Sequence, residues 1–311
     1  MVNVLGFKMS GSRARKSSRP PLQLSGEGVW TTKAGFYLLW WEFLAVSPSY
    51  ELARRYRAGT LTNEDQKLLP ADFEDVLSVY DDIGDVQRVV FREWWSERGL
   101  SVFGYKGSKP RLRRVDSLTP TRHRNATKRV EDFIEDEWAE QGQPNALLVS
   151  IPLGLSKTDV TRQLKKLMDR YAEEHRILPD PVTKYPLLGT KQRKDTLFRY
   201  LFVVWIRCAM PHQPLWRVGV RSKVSDTYSP ELDAKAQIQR GEQVYDRSML
   251  AVLTSRAWSR GMALAENAAR GQFPLYKKPE HAVTPDPRWL WNIINSRRLW
   301  KKKIKQNQDQ N

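Results

Sequence analysis

Between Phe36 and Leu44 the chain runs Phe-Tyr-Leu-Leu-Trp-Trp-Glu-Phe-Leu, with Glu42 as its only charge. A helix of that composition is apolar all round, so it must be enclosed by other elements rather than lie on a surface. Thr31 or Thr32 is placed to cap it. Ser47-Pro48 closes it and opens a second helix, with the serine as N-cap and the proline in the first turn, running through Arg54-Arg55-Tyr56 toward Gly59. A third helix is expected after Pro70, covering Phe73, Val76, Leu77 and Tyr80. A fourth, about 85–98, presents Val86, Val89, Val90 and Trp94 and stops at Gly99. Residues 29–105 therefore read as a helical domain.

A second core helix is expected near 191–209, where Leu197, Phe198, Leu201, Phe202, Val204, Trp205 and Ile206 crowd together before Pro211 and Pro214 break it. Trp216 to Arg221 alternates well enough for a short strand. Helices follow at about 230–240 and 244–270. Asp286-Pro287 then starts a terminal helix carrying Trp289, Trp291 and Trp300 into Arg297, Arg298, Lys301 and Lys302. The twelve tryptophans are read chiefly as core packing. The expected fold is mainly α: two helical domains with one or two short β-strands. The expected division is a disordered basic arm at 1–28, a helical domain at 29–105 and a basic linker at 106–129. A mainly helical domain at 130–285 and a basic, Trp-rich helix and tail at 286–311 complete it.

Inside the second domain one stretch combines a helix start, an apolar stripe and a basic face. Ser156 and Asp159 form an S-x-x-D capping box, so a helix begins at Lys157. Val160, Leu164, Leu167, Met168 and Tyr171 fall on one helical face, which is expected to be buried. The opposite arc carries Thr158, Arg162, Lys165 and Lys166. The run Leu153 to Leu167, LGLSKTDVTRQLKKL, resembles the turn and recognition helix of helix-turn-helix regulators over about fifteen residues. That resemblance implies an element spanning 147–171 whose second helix meets DNA. The preceding residues depart from the family, because Pro152 disfavours helix at Ile151 and Val149 and Ile151 favour a strand. A short strand leading into a capped helix is the competing expectation.

Lys and Arg number 52 against 35 Asp and Glu, a formal charge of +17, which favours polyanionic partners. The linker contributes nine basic residues against Asp116 alone. Its cations are as well suited to fold back on the acidic helix 131–140 as to bind nucleic acid. Cys208 is the only cysteine and the four histidines show no ligand spacing, so neither a disulfide nor a metal site is expected, and no cofactor. Asp72, Glu74, Asp75, Asp81, Asp82 and Asp85 are weighed as metal ligands for nuclease chemistry, but their positions suit helix starts and a turn better. No segment reaches the roughly 20 apolar residues of a membrane span, and a cytoplasmic location is expected. Contact of the terminal helix with an anionic membrane surface ranks below ordinary docking.

The preferred reading is a nucleic-acid-binding protein, DNA favoured, of the kind that regulates transcription. A nuclease or other nucleic-acid-modifying enzyme, and a non-enzymatic interaction module, are the alternatives. The candidate contacts are Lys157, Thr158, Arg162, Lys165 and Lys166 on the central helix, with Arg111, Arg113, Arg114, Arg122 and Arg124 in the linker. Arg297, Arg298, Lys301 and Lys302 supply the terminal cluster.

Overall fold

The computed structural model describes residues 22–26, 28–31, 33–107, 112–140, 143, 145–175, 185–189, 193–228 and 244–310. The chain is mainly α with one small sheet, β1 (Ser25–Gly26), β2 (Val29–Trp30) and β3 (Tyr105–Lys106), antiparallel in the order β1-β2-β3. The helices up to the sheet's last strand are α1 (Ala34–Leu44), α2 (Pro48–Arg57), α3 (Asn63–Gln66) and α4 (Phe73–Ile83). They are followed by α5 (Phe91–Trp94), a π-helical turn Trp95–Gly99 and α6 (Leu100–Phe103). Beyond it come α7 (Ala126–Asp132) with a π-helical turn Phe133–Trp138, α8 (Lys157–His175), α9 (Lys194–Ala209), α10 (Leu215–Ser222), α11 (Val244–Ala268) and α12 (Pro287–Gln310). Two compact units result. The first is built from the described parts of Met1–Leu24, Thr31–Gly104 and Thr183–Asn311, and the second from the described parts of Ser25–Trp30 and Tyr105–Val182.

In the first unit, α1 is enclosed as its composition requires: Tyr37, Trp40, Trp41, Phe43 and Leu44 are all buried. It packs on α9 and α11, and α12 packs on α9, so segments far apart in sequence share one core. Aromatic rings fill it. The Tyr37 and Phe103 centroids lie 4.4 Å apart, Trp40 is 5.3 Å from Phe273, and Trp41 is 4.5 Å from Trp94. The indole N–H groups of Trp40 and Trp94 donate to the Ala268 and Ile83 carbonyls at 3.2 and 2.7 Å, which removes the penalty of burying them.

Polar groups tie the same core together. The Glu266 carboxylate, 1% exposed, accepts from the hydroxyls of Ser47 (2.7 Å) and Ser49 (2.5 Å), the backbone N–H of Val283 (3.2 Å) and the Arg270 guanidinium (3.1 Å). Ser47 is also the N-cap of α2, accepting from Tyr50 N–H. Arg270 continues to Asp72 at 2.7 Å, joining α11's end to the start of α4. Gly261 lets α11 lie against α9, since a Cβ there would sit 2.7 Å from Val204 Cγ2 and 3.1 Å from the Tyr200 carbonyl oxygen.

Several local expectations need correction. Trp216 to Arg221 is not a strand but part of α10, entered at Pro214. Its buried residues include Val218, Gly219 and Ser222, a helical spacing, and Gly219 leaves no room for a Cβ against Thr254 and Leu250 of α11. The fourth helical segment begins at Phe91 and continues through Gly99 to Phe103, because burial of Trp94, Trp95 and Phe103 holds the chain helical past the glycine. Among the described residues no side chain caps α1; the Thr31 hydroxyl instead accepts from Lys33 N–H at 3.1 Å, and Thr32 lies outside the described residues. The helix expected at 230–240 and the arm before residue 22 also lie outside them.

Candidate nucleic-acid interface

The helix start at Lys157 is where the capping box places it. Asp159 N–H donates to Ser156 Oγ at 3.1 Å, and the serine hydroxyl donates to the Asp159 carboxylate at 2.7 Å, so the acid reaches the side chain rather than the backbone. The 19 residues of α8 extend about 28 Å. Lys157, Thr158, Arg162, Lys165 and Lys166 are all exposed. Arg162 is steadied by an ion pair with Asp159 one turn earlier.

Two expectations about this stretch fail. The apolar stripe is not buried: Met168 is 48% and Tyr171 40% exposed, while Val160, Leu164 and Leu167 are only half-covered. Residues 145–152, moreover, form neither helix nor strand, so the first helix of a helix-turn-helix is not made by this segment. Pro152 accounts for the missing helix. Among the described residues no strand pairs with this segment, so no ladder forms. Leu147, Leu148, Ile151, Leu153 and Leu155 stand exposed along it.

Part of the linker pairs with acidic side chains. Arg113 pairs with Glu137 of the acidic segment, and Arg129 pairs with Asp116 within the linker. Arg114, Arg122 and Arg124 are exposed, and Arg111 lies outside the described residues.

The terminal cluster divides. Arg297 is 7% exposed; its guanidinium donates to the Val86 carbonyl at 3.1 Å and pairs with Glu42, whose other partner is Lys301 at 3.2 Å. Burial pushes the Glu42 carboxyl up, but the Arg297 and Lys301 cations beside it more than offset that and hold it at about 2. Arg297 thus neutralises the one charge of α1 and is withdrawn from solvent. Arg298 lies 5.7 Å over the Trp291 ring, and Lys302 is exposed.

Of the acids weighed as metal ligands, Asp72 pairs with Arg270, Asp81 with Arg57, and Asp82 accepts from the Tyr185 hydroxyl. Asp85 accepts from Gln87 N–H at 2.6 Å. Among the described residues no three His, Cys, Asp or Glu side chains group as metal ligands do. Sequence reasoning passed over Arg54, Arg55 and Arg88, which the fold gathers with Arg297 around a single cleft. The Arg54-Arg55 doublet was the only local signal. Comparison of the chain with protein-family models, with curated proteins and with solved structures gives no match.

Proposed function

We propose that this protein binds nucleic acid, duplex DNA being the favoured partner, through the first turns of α8 and the exposed arginines of the linker. The observation that carries this reading is the charge order along α8. Lys157, Arg162, Lys165 and Lys166 against Asp159 alone occupy its first ten residues, whereas Asp169, Glu173 and Glu174 against Arg170 fall in the rest. The order runs against the helix dipole, which favours anions at the N-terminus and cations at the C-terminus. Helix stability therefore does not account for it. Cations added to the positive end of the dipole make a concentrated field for phosphate, and exposure of all four leaves them accessible.

In a fluorescence titration, duplex binding is expected to weaken steeply between about 50 and 200 mM salt, as counterion release requires. Arg162→Ala is expected to relax sequence preference at a cost of about 1–3 kcal/mol, whereas Lys166→Ala weakens all sequences and lowers the salt slope by about one. Unchanged affinity and slope in both variants would remove α8 from the interface. A second reading, a protein-interaction module, is favoured by the uncovered apolar stripe and by the exposed leucines of 147–155.

A further inference from the structure

The first unit holds a cleft of about 240 Å³ between α2, the segment 84–90 and α12. Its wall carries four arginines, Arg54, Arg55, Arg88 and Arg297, against one acid, Glu51. Counting the groups behind the wall does not reverse the sign. Asp65 pairs with Arg55, and Glu42 is shared by Arg297 and Lys301. Asp85 adds one more negative charge near Arg54, and the set remains net positive.

The arginines differ in how far they are engaged. Arg54 and Arg55 grip Glu51 at 2.7 and 3.0 Å, which fixes their guanidinium planes at the cleft's edge. Arg88 is exposed and bonds only to the Ser296 hydroxyl at 2.9 Å; among the described residues no carboxylate pairs with it. Gln87, 6% exposed, also lines the cleft. Its amide N–H₂ is spent on the Ala45 carbonyl at 3.0 Å, and its Oε1 has no donor among the described residues. Planar donors held in place and one cation without an acid make a wall suited to an oxyanion.

We infer that this cleft binds a phosphate group, with Arg88 as the principal contact and preorganised Arg54 and Arg55 beside it. The volume falls below the roughly 300 Å³ at the small end of drug-sized sites, so the occupant is a small phosphate or the end of a larger molecule, not a bulky cofactor. Two sources carry that chemistry: a free small phosphate and the 5′-phosphate of a nucleic-acid strand. The inference does not rest on α8, which belongs to the other unit.

Isothermal titration of the full chain at constant ionic strength tests it with three probes: inorganic phosphate, adenosine 5′-monophosphate, and a short single strand with and without a 5′-phosphate. One phosphate-dependent site per chain is expected, weakened at least ~tenfold by Arg88→Ala, as loss of a charge-assisted hydrogen bond entails. Arg88→Lys should recover part of the loss. Because Arg88 is exposed, the melting curves of these variants should match the parent's, and Arg162→Ala on α8 should leave the site unchanged. Binding of the two small probes assigns the site to free phosphate; binding only of the phosphorylated strand assigns it to a strand end. The inference is overturned if no probe shows phosphate-dependent binding, or if Arg88→Glu leaves that binding intact.

Discussion

The two units of this protein hold their patterned helices in opposite ways. In the first, α1, α9 and α11 bury rings and aliphatic side chains from both ends of the chain, down to Trp40, Leu197, Leu201 and Leu264 at 0% exposure. In the second, not one described residue from 112 to 171 is buried, nor is any described residue of the sheet. The contrast teaches that an apolar stripe reports only a capacity to be covered. On α1 the chain covers it, while on α8 it stays open, leaving the helix to its cap, its propensity and whatever it meets. Burial at roughly 25 cal/mol per Å² offsets the entropy of ordering in the first unit and contributes little to α8.

Hydrogen exchange gives the largest expected contrast. Amides in the middle of α9 and α11 should open only with global unfolding, whereas those of α8 should exchange at least ~10³-fold faster, because few buried contacts hold them. Equal protection of α8 and α11 in the free protein would erase the difference between the units. Added duplex should slow α8 selectively.

Substitution probes the same contrast through stability in urea. Trp40→Ala should cost about 3–5 kcal/mol, since it empties the centre of the aromatic cluster and removes the indole hydrogen bond to the Ala268 carbonyl. Leu164→Ala on the half-covered stripe should cost less than ~1 kcal/mol.

A smaller effect comes from acid. The Glu42 carboxyl lies at about 2 in the folded protein against an ordinary 4.5, so its contribution is present above pH 4.5 and is lost as pH falls through 2. That contribution is at most ~3 kcal/mol. Glu42→Gln, which leaves Arg297 and Lys301 without their anion, should be destabilised at neutral pH and converge on the parent near pH 2. A constant gap between the two across that range would show that the ion pair does not hold α12 to α1.

The smallest expected effect is the most pointed. Val160→Asp, which on a buried stripe would unfold the domain, should change stability by less than ~1 kcal/mol here, with an unaltered circular dichroism spectrum. Unfolding by this single charge would mean that the α8 stripe is covered after all.

Much was legible in the chain by itself because its causes are local. Ser156 and Asp159 lie three residues apart, which is enough to start α8 at Lys157. Ser47-Pro48 starts α2 by the same logic, and the run around Trp40-Trp41 has no polar face with which to sit on a surface. What remained illegible depends on partners distant in sequence. Trp216 to Arg221 reads as alternation until α11 packs against Gly219, and Arg297 reads as a surface cation until Glu42, 255 residues away, faces it. The stripe of α8 reads as core until the structure leaves Met168 and Tyr171 exposed. Arg88 belongs to no motif, and only the approach of α2 and α12 sets it at the edge of a cleft. Periodicity and capping act within a few residues of backbone, so the sequence states them outright; burial and charge pairing are properties of a position in space, which the tertiary structure alone assigns.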